Sequence, residues 1–139
     1  MSENLDLVRS ICSAWERGDF GSTEWADPEI EGLQADGVAP ASWHGLSGMA
    51  DAEREFLNAW DDYRLEVEEY RELDGSRVLV LIRHTGRGKT SGLELGQMQL
   101  NAGVLFHVRG GKVTRLVTYW DRDRALADLG LAAKDGSQQ

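Results

Sequence analysis

The chain holds one cysteine, Cys12, and only two prolines, Pro28 and Pro40, in 139 residues. A lone thiol excludes an internal disulfide, so nothing in the sequence calls for an oxidising compartment. Positive charge is also scarce: 15 Lys and Arg stand against 24 Asp and Glu, a formal net charge of −9, and no basic cluster reverses that balance locally. Such a surface repels polyphosphate and anionic lipid headgroups, which argues against nucleic acid and membranes as partners. No apolar run approaches the roughly 20 residues of a membrane-spanning helix. The opening "MSENLDLVRS" lacks the basic start and apolar centre of a secretory signal. A cytoplasmic protein is the expectation. The three histidines, His44, His84 and His107, have no metal-ligand spacing, and no "HExxH" occurs, so neither a metal nor a cofactor is expected. "GRGKTSG" is not a phosphate loop either, because it lacks the four residues that separate the first glycine from "GK" in that motif.

What is present reads as an ordinary globular domain spanning residues 1–139, with a frayed tail from about residue 133. Leu5, Val8, Ile11, Cys12 and Trp15 form one helical face, predicting a helix from about Glu3 to Arg17 that Gly18 ends. "GDFGSTEWADP" reads as a turn, a short helix and a stop at Pro28, followed by a short strand, "EIEGL". "QADGVAPASWHGL" reads as an irregular loop carrying Trp43 and His44. Ser47 is a candidate cap for a second helix with an apolar stripe of Met49, Ala52, Phe56 and Trp60. Tyr63, Leu65 and Val67 alternate with charged residues, as in a half-exposed strand, and "LDGSR" is a turn. "VLVLIRHT" is the next strand, "GRGKTSG" a flexible connection, and Leu93 to Arg109 a long strand. Gly110 and Gly111 then make a hairpin to "KVTRLVTYW". Asp121 or Asp123 caps a last helix that ends at Gly130.

Helices followed by long antiparallel strands imply an α+β architecture. Three segments carry a family resemblance: "VRSICSAWERGDF", "WHGLSGMADAEREFLNAWDDYRLEVEEY" and "HVRGGKVTRLVTYWDRDRALADLGL". In them the chain resembles the nuclear-transport-factor-2-like superfamily, in particular its SnoaL-like branch that includes polyketide cyclases. The resemblance implies a cone: a strongly curved antiparallel sheet packed on the N-terminal helices, with a short C-terminal helix. It also implies a pocket for a small hydrophobic molecule and homodimers formed through the outer sheet face, and it leaves open catalysis, plain binding, or a dimerisation module with a vestigial cavity.

Aligned with limonene-epoxide hydrolases, the family's aspartate, arginine and aspartate positions fall on His84, Ile82 and Thr118, so water activation by paired carboxylates is not expected. The tyrosine and aspartate positions of ketosteroid isomerases fall on Ile11 and Gly32, which cannot transfer protons. A polyketide-cyclase-like use of His84 as general base stays open. So does a purely structural histidine.

The hairpin register, with Arg109 opposite Lys112, predicts Leu105 opposite Leu116, Gly103 opposite Thr118 and Asn101 opposite Trp120. Gln97, Gln99, Asn101, Thr118 and Trp120 then share one face with Leu105, the expected pocket side. Val104, Phe106, Val113, Val117 and Tyr119 share the other. Trp43, Tyr63 and Ile82 complete the expected ligand-contacting set around His84. Arg83 is expected to face outward against a glutamate of "EVEEYRE".

Overall fold

The stretch "VLVLI", Val78 to Ile82, is no more than 4% exposed at any position. A strand with one wet face cannot be so dry. The computed structural model describes residues 3–36, 41–90 and 93–131, with the side chains of all but residues 41, 88–90 and 93–98, and it explains the dryness. Both faces of this strand are covered.

The elements in chain order are α1 (Glu3–Glu16), β1 (Ala26–Gln34), β2 (Ala41–His44), α2 (Gly45–Asn58), β3 (Trp60–Glu72), β4 (Arg77–Thr90), β5 (Leu93–Arg109), β6 (Lys112–Tyr119) and α3 (Arg122–Asp128). The strands form one curved sheet in the order β2-β1-β6-β5-β4-β3. All neighbours are antiparallel except β1 and β6, which run parallel. Helix α1 lies on β3 and β4, α2 on β1, β2 and β3, and α3 on β5 and β6. The result is the expected α+β cone.

Side-chain alternation divides the core in two. Val78, Val80 and Ile82 point inward, where they join Val8, Ile11 and Cys12 of α1 and Phe106 of β5. Leu79 and Leu81 point outward, against Ala125 and Leu126 of α3. Fully burying one such aliphatic side chain is worth about 1.5–3 kcal/mol, so α3 is a fixed part of the outer wall.

Several elements differ from the sequence reading. No short helix forms before Pro28; after a turn at Glu24 and Trp25 the chain enters β1 directly. Pro28 is tolerated there because it falls between Ala26 and Glu31, where the β1–β6 register shifts and no ladder donor is required. The "ASWH" end of the expected loop is β2, which pairs with β1; the preceding residues 37–40 lie outside the described ones. Ser47 is not the cap of α2. The helix begins at Gly45 after His44, whose side chain makes no capping hydrogen bond. Trp60, expected to end the helical stripe, instead opens β3, and most of "GRGKTSG" belongs to β4, which runs to Thr90.

The most consequential difference lies in the β5–β6 hairpin. Arg109 does oppose Lys112, but the register then shifts: Val108 opposes Val113, whereas His107 opposes Arg115. Thr114 is the extra residue of a bulge. Leu105 therefore faces Val117, and Gly103 faces Tyr119, instead of Leu116 and Thr118. A one-residue slip moves a strand's side chains to the opposite face relative to its neighbour. Thr118 consequently shares the inner face with Val104, and Gln99 and Asn101 fall on the outer one.

Candidate functional site

Residues 78, 80 and 82 of β4 point into the cone, and the same parity carries His84 inward, opposite Leu65 on β3 and Leu100 on β5. Arg83 takes the outward parity and pairs with Glu66, its Nε 3.0 Å from the carboxylate. His84 is 8% exposed.

Its partner is set by a second bulge. Between Asp61 and Arg64 the β3–β4 register shifts, so that Asp62 and Tyr63 together oppose Gly86. Asp62 takes a left-handed φ of 54°, a conformation acidic side chains tolerate better than most. Gly86 is required: a Cβ there would lie 2.9 Å from the Trp60 ring and 3.0 Å from the Asp61 carbonyl oxygen. Outside, Arg87 pairs with Asp62 at 3.0 Å and holds the bulge. The bulged strand delivers the Tyr63 hydroxyl to 2.6 Å from His84 Nδ1.

Aromatic rings surround this pair. Phe56, Tyr63 and Trp120 lie 5.4, 5.6 and 5.7 Å from the imidazole, centre to centre, and Trp60 lies at 6.3 Å. They enclose one side of a cavity of about 670 Å³ beneath α2, which Trp43, Ile82, Thr118 and Glu53 also line. Trp43 sits flat on β1 because the opposite residue is glycine; a Cβ on Gly32 would fall 1.9 Å from the indole Cε2. Trp120 is held through its backbone. Buried Asp36 accepts hydrogen bonds from the amides of Trp120 at 2.8 Å and Asp121 at 3.1 Å, and Asp121 in turn caps α3 by accepting from the Asp123 amide. The Thr118 hydroxyl is directed at the Leu33 carbonyl, at 3.4 Å.

Of the sequence-derived set, the fold gathers Trp43, Tyr63, Ile82, Thr118 and Trp120 around His84 on one cavity. It does not bring Gln99 and Asn101 there. Both are exposed, on the outer face opposite Thr85 and Arg83, because the Thr114 bulge separates their parity from that of Thr118. Gln97 pairs with Arg87 along the backbone, and its side chain lies outside the described residues. Of the other histidines, His44 is exposed beside Glu29 at 3.2 Å, and His107 is half-buried near the hairpin.

Glu53 was not singled out from the sequence, although a signal existed. It follows Met49 by four residues and precedes Phe56 by three, so it is a carboxylate on the apolar stripe of α2. It forms no hydrogen bond or ion pair among the described residues.

Burial sets the charges here. It lowers the His84 pKa to about 4, so the ring is neutral at pH 7, and it pushes the Tyr63 phenol up beyond its ordinary range. The Glu53 carboxyl is raised to about 7, again by burial. Cys12, elsewhere in the core, is raised to about 12, chiefly by burial and then by the nearby Glu16. A neutral imidazole has one donor and one acceptor nitrogen. If Nδ1 donates to Tyr63, Nε2 offers a lone pair and the phenol proton is free for a ligand; if Tyr63 donates, Nε2 becomes the donor. No other hydrogen bond to this ring forms among the described residues.

No family model and no curated protein matches the sequence; solved structures do match. An NTF2-like protein of unknown function from Burkholderia pseudomallei K96243 superimposes with a TM-score of 0.72 at 20% identity, covering 91% of this chain and 97% of that one. A candidate polyketide cyclase from Xanthomonas campestris pv. campestris gives 0.68 at 20%, covering 90% and 95%. TerC, co-crystallised with polyporic acid, gives 0.70 at 20%, covering 92% and 98%. At these identities the likeness shows a shared fold, the NTF2-like cone.

Proposed function

We propose that the protein is a cofactor-free enzyme of the SnoaL-like kind, a cyclase, isomerase or dehydratase acting on a hydrophobic carbonyl compound. The observation that carries this reading is the buried His84–Tyr63 pair at 2.6 Å, set among aromatic rings on a cavity of about 670 Å³. A cavity of this size suits a drug-sized ligand with apolar walls and a few polar groups to orient it. The neutral imidazole takes a proton from the carbon beside the carbonyl, and the Tyr63 phenol hydrogen-bonds to the oxygen on which negative charge grows. Proton transfer of this type typically contributes about 10²–10⁴ in rate. Trp43, Trp60 and Trp120 supply flat apolar contacts, and Ile82 and Thr118 flank the histidine.

A binding module is the second reading. One observation favours it: an imidazole with a pKa near 4 is a weaker base than an ordinary histidine. The test is a thermal-shift screen of wild type and His84→Ala against polycyclic ketones, steroids, epoxides and aromatic polyketide analogues, with product analysis of each stabilising compound. The enzyme reading expects compounds that stabilise both proteins but are converted only by the wild type. Stabilisation without product in either protein establishes the binding module instead.

A further inference from the structure

The two proton-handling groups of β3 and β4 approach the cavity from the sheet, while α2 covers it from the other side. That helix contributes Met49, Ala52 and Phe56 to the cavity lining, and among them Glu53. Phe56 fixes where Glu53 lies. The Phe56 ring is 5.4 Å from the His84 ring, and residues three apart on a helix have Cβ atoms about 5–6 Å apart. The carboxyl is thus one helical turn from the side chain that touches the imidazole. The other acids of α2 that border the cavity, Asp51 and Glu55, are exposed, and Asp51 is paired with Arg54 at 2.8 Å. On the elements against α2, His44 of β2 pairs with Glu29 of β1, and β3 presents the Tyr63 hydroxyl.

We infer that Glu53 is a second catalytic residue, the general acid that works opposite His84. This rests on the enzyme reading above. In the forward step the C–H bond beside the carbonyl breaks and its proton goes to His84. The electron pair forms the C=C bond of an enol, and the carbonyl oxygen takes a proton from Glu53, leaving a carboxylate. When the enol collapses, its O–H proton returns to Glu53 and His84 returns a proton to carbon; in D₂O that is a deuteron, because the imidazolium N–H exchanges with solvent while the enol persists. Both residues are thereby reset with no outside reactant. The raised pKa of Glu53, about 7, keeps a substantial protonated fraction at neutral pH, as the step requires.

The probe is 2-tetralone, a bicyclic ketone whose exchange of α-hydrogen for deuterium in D₂O can be followed by proton NMR without knowing the natural substrate. Wild type is expected to bind it, seen as saturable quenching of tryptophan fluorescence, and to accelerate exchange. In Glu53→Gln, binding stays within about twofold, whereas the enzymatic rate falls by roughly 10²-fold and loses its decline above pH 7. Full exchange in Glu53→Gln, with loss of exchange in His84→Ala, overturns the role of Glu53 and leaves the enzyme reading standing. Absent exchange or absent binding in wild type overturns both. A separate readout is ¹³C-carboxyl NMR of Glu53: titration near 7 is expected, and an ordinary value near 4.5 overturns the assignment.

Discussion

At the scale of single residues, burying a neutral histidine makes stability depend on pH. His84 has a folded pKa near 4 against an ordinary value of 6.5, so the unfolded chain binds the extra proton first. The stability it contributes is complete above pH 6.5 and is lost as pH falls through 4. Each pKa unit corresponds to about 1.4 kcal/mol, so the loss from this group is on the order of 3 kcal/mol. Urea unfolding at pH 7 and pH 4 should show the difference shrinking by about that amount in His84→Gln; an unchanged difference would mean the ring is not buried neutral. Tyr63→Phe removes the hydrogen bond at Nδ1 and should cost on the order of 1–2 kcal/mol, measured at pH 7. The inward position of His84 was legible in the sequence, because the parity of "VLVLIRH" needs only an unbroken strand. Glu53 was overlooked because acids on a helix are ordinarily solvated, and only its place on the Met49–Phe56 stripe marks it.

At the scale of elements, bulges decide which side chains meet. The bulge at Asp62 and Tyr63 depends on Gly86, whose φ of 149° and close contact with Trp60 leave no room for a side chain. Gly86→Ala should therefore lower stability by about 1–3 kcal/mol and remove the protection of His84 from protonation, read as a histidine pKa moving back toward 6.5 by NMR. Gly32→Ala would press on the Trp43 indole; a comparable loss is expected, with a shifted tryptophan emission and weaker ligand quenching. Neither bulge could be read from local pattern. The "RGGKV" hairpin correctly set Arg109 against Lys112, but the extra residue at Thr114 is fixed by how β6 also pairs with β1, a contact between strands far apart in sequence. That is why Thr118 and Trp120 reach the cavity whereas Gln99 and Asn101, read in one register with them, do not. Trp43 reaches it as part of β2, an element hidden within a glycine- and proline-containing stretch that reads as a loop.

For the molecule as a whole, two groups of opposite type, the buried His84 and the half-buried Glu53, bracket its stability. His84 contributes fully only above pH 6.5, as worked out above. Glu53, raised from 4.5 to about 7, behaves in the reverse sense: its contribution is complete below pH 4.5 and is lost as pH rises through 7. Together they favour the interval between, about pH 5 to 6.5. Melting temperatures across pH 4 to 9 should accordingly show Glu53→Gln gaining on wild type at the alkaline end and His84→Gln gaining at the acid end. Parallel curves for wild type and Glu53→Gln would show that Glu53 is as well hydrated as the other acids of α2.

The cavity wall is fastened unevenly. Trp43 rides on β2, a four-residue strand at the sheet edge with β1 as its sheet neighbour, while His84 sits on β4, paired on both sides. Strands with few hydrogen bonds open at far lower free energy than central ones. The cone can thus admit a guest by briefly peeling back one hem of the sheet, with the rest of the structure standing still. Amide hydrogen exchange should be fast at Ser42 to His44 and slow at Val78 to Ile82, and an occupied cavity should slow the former while leaving the latter untouched.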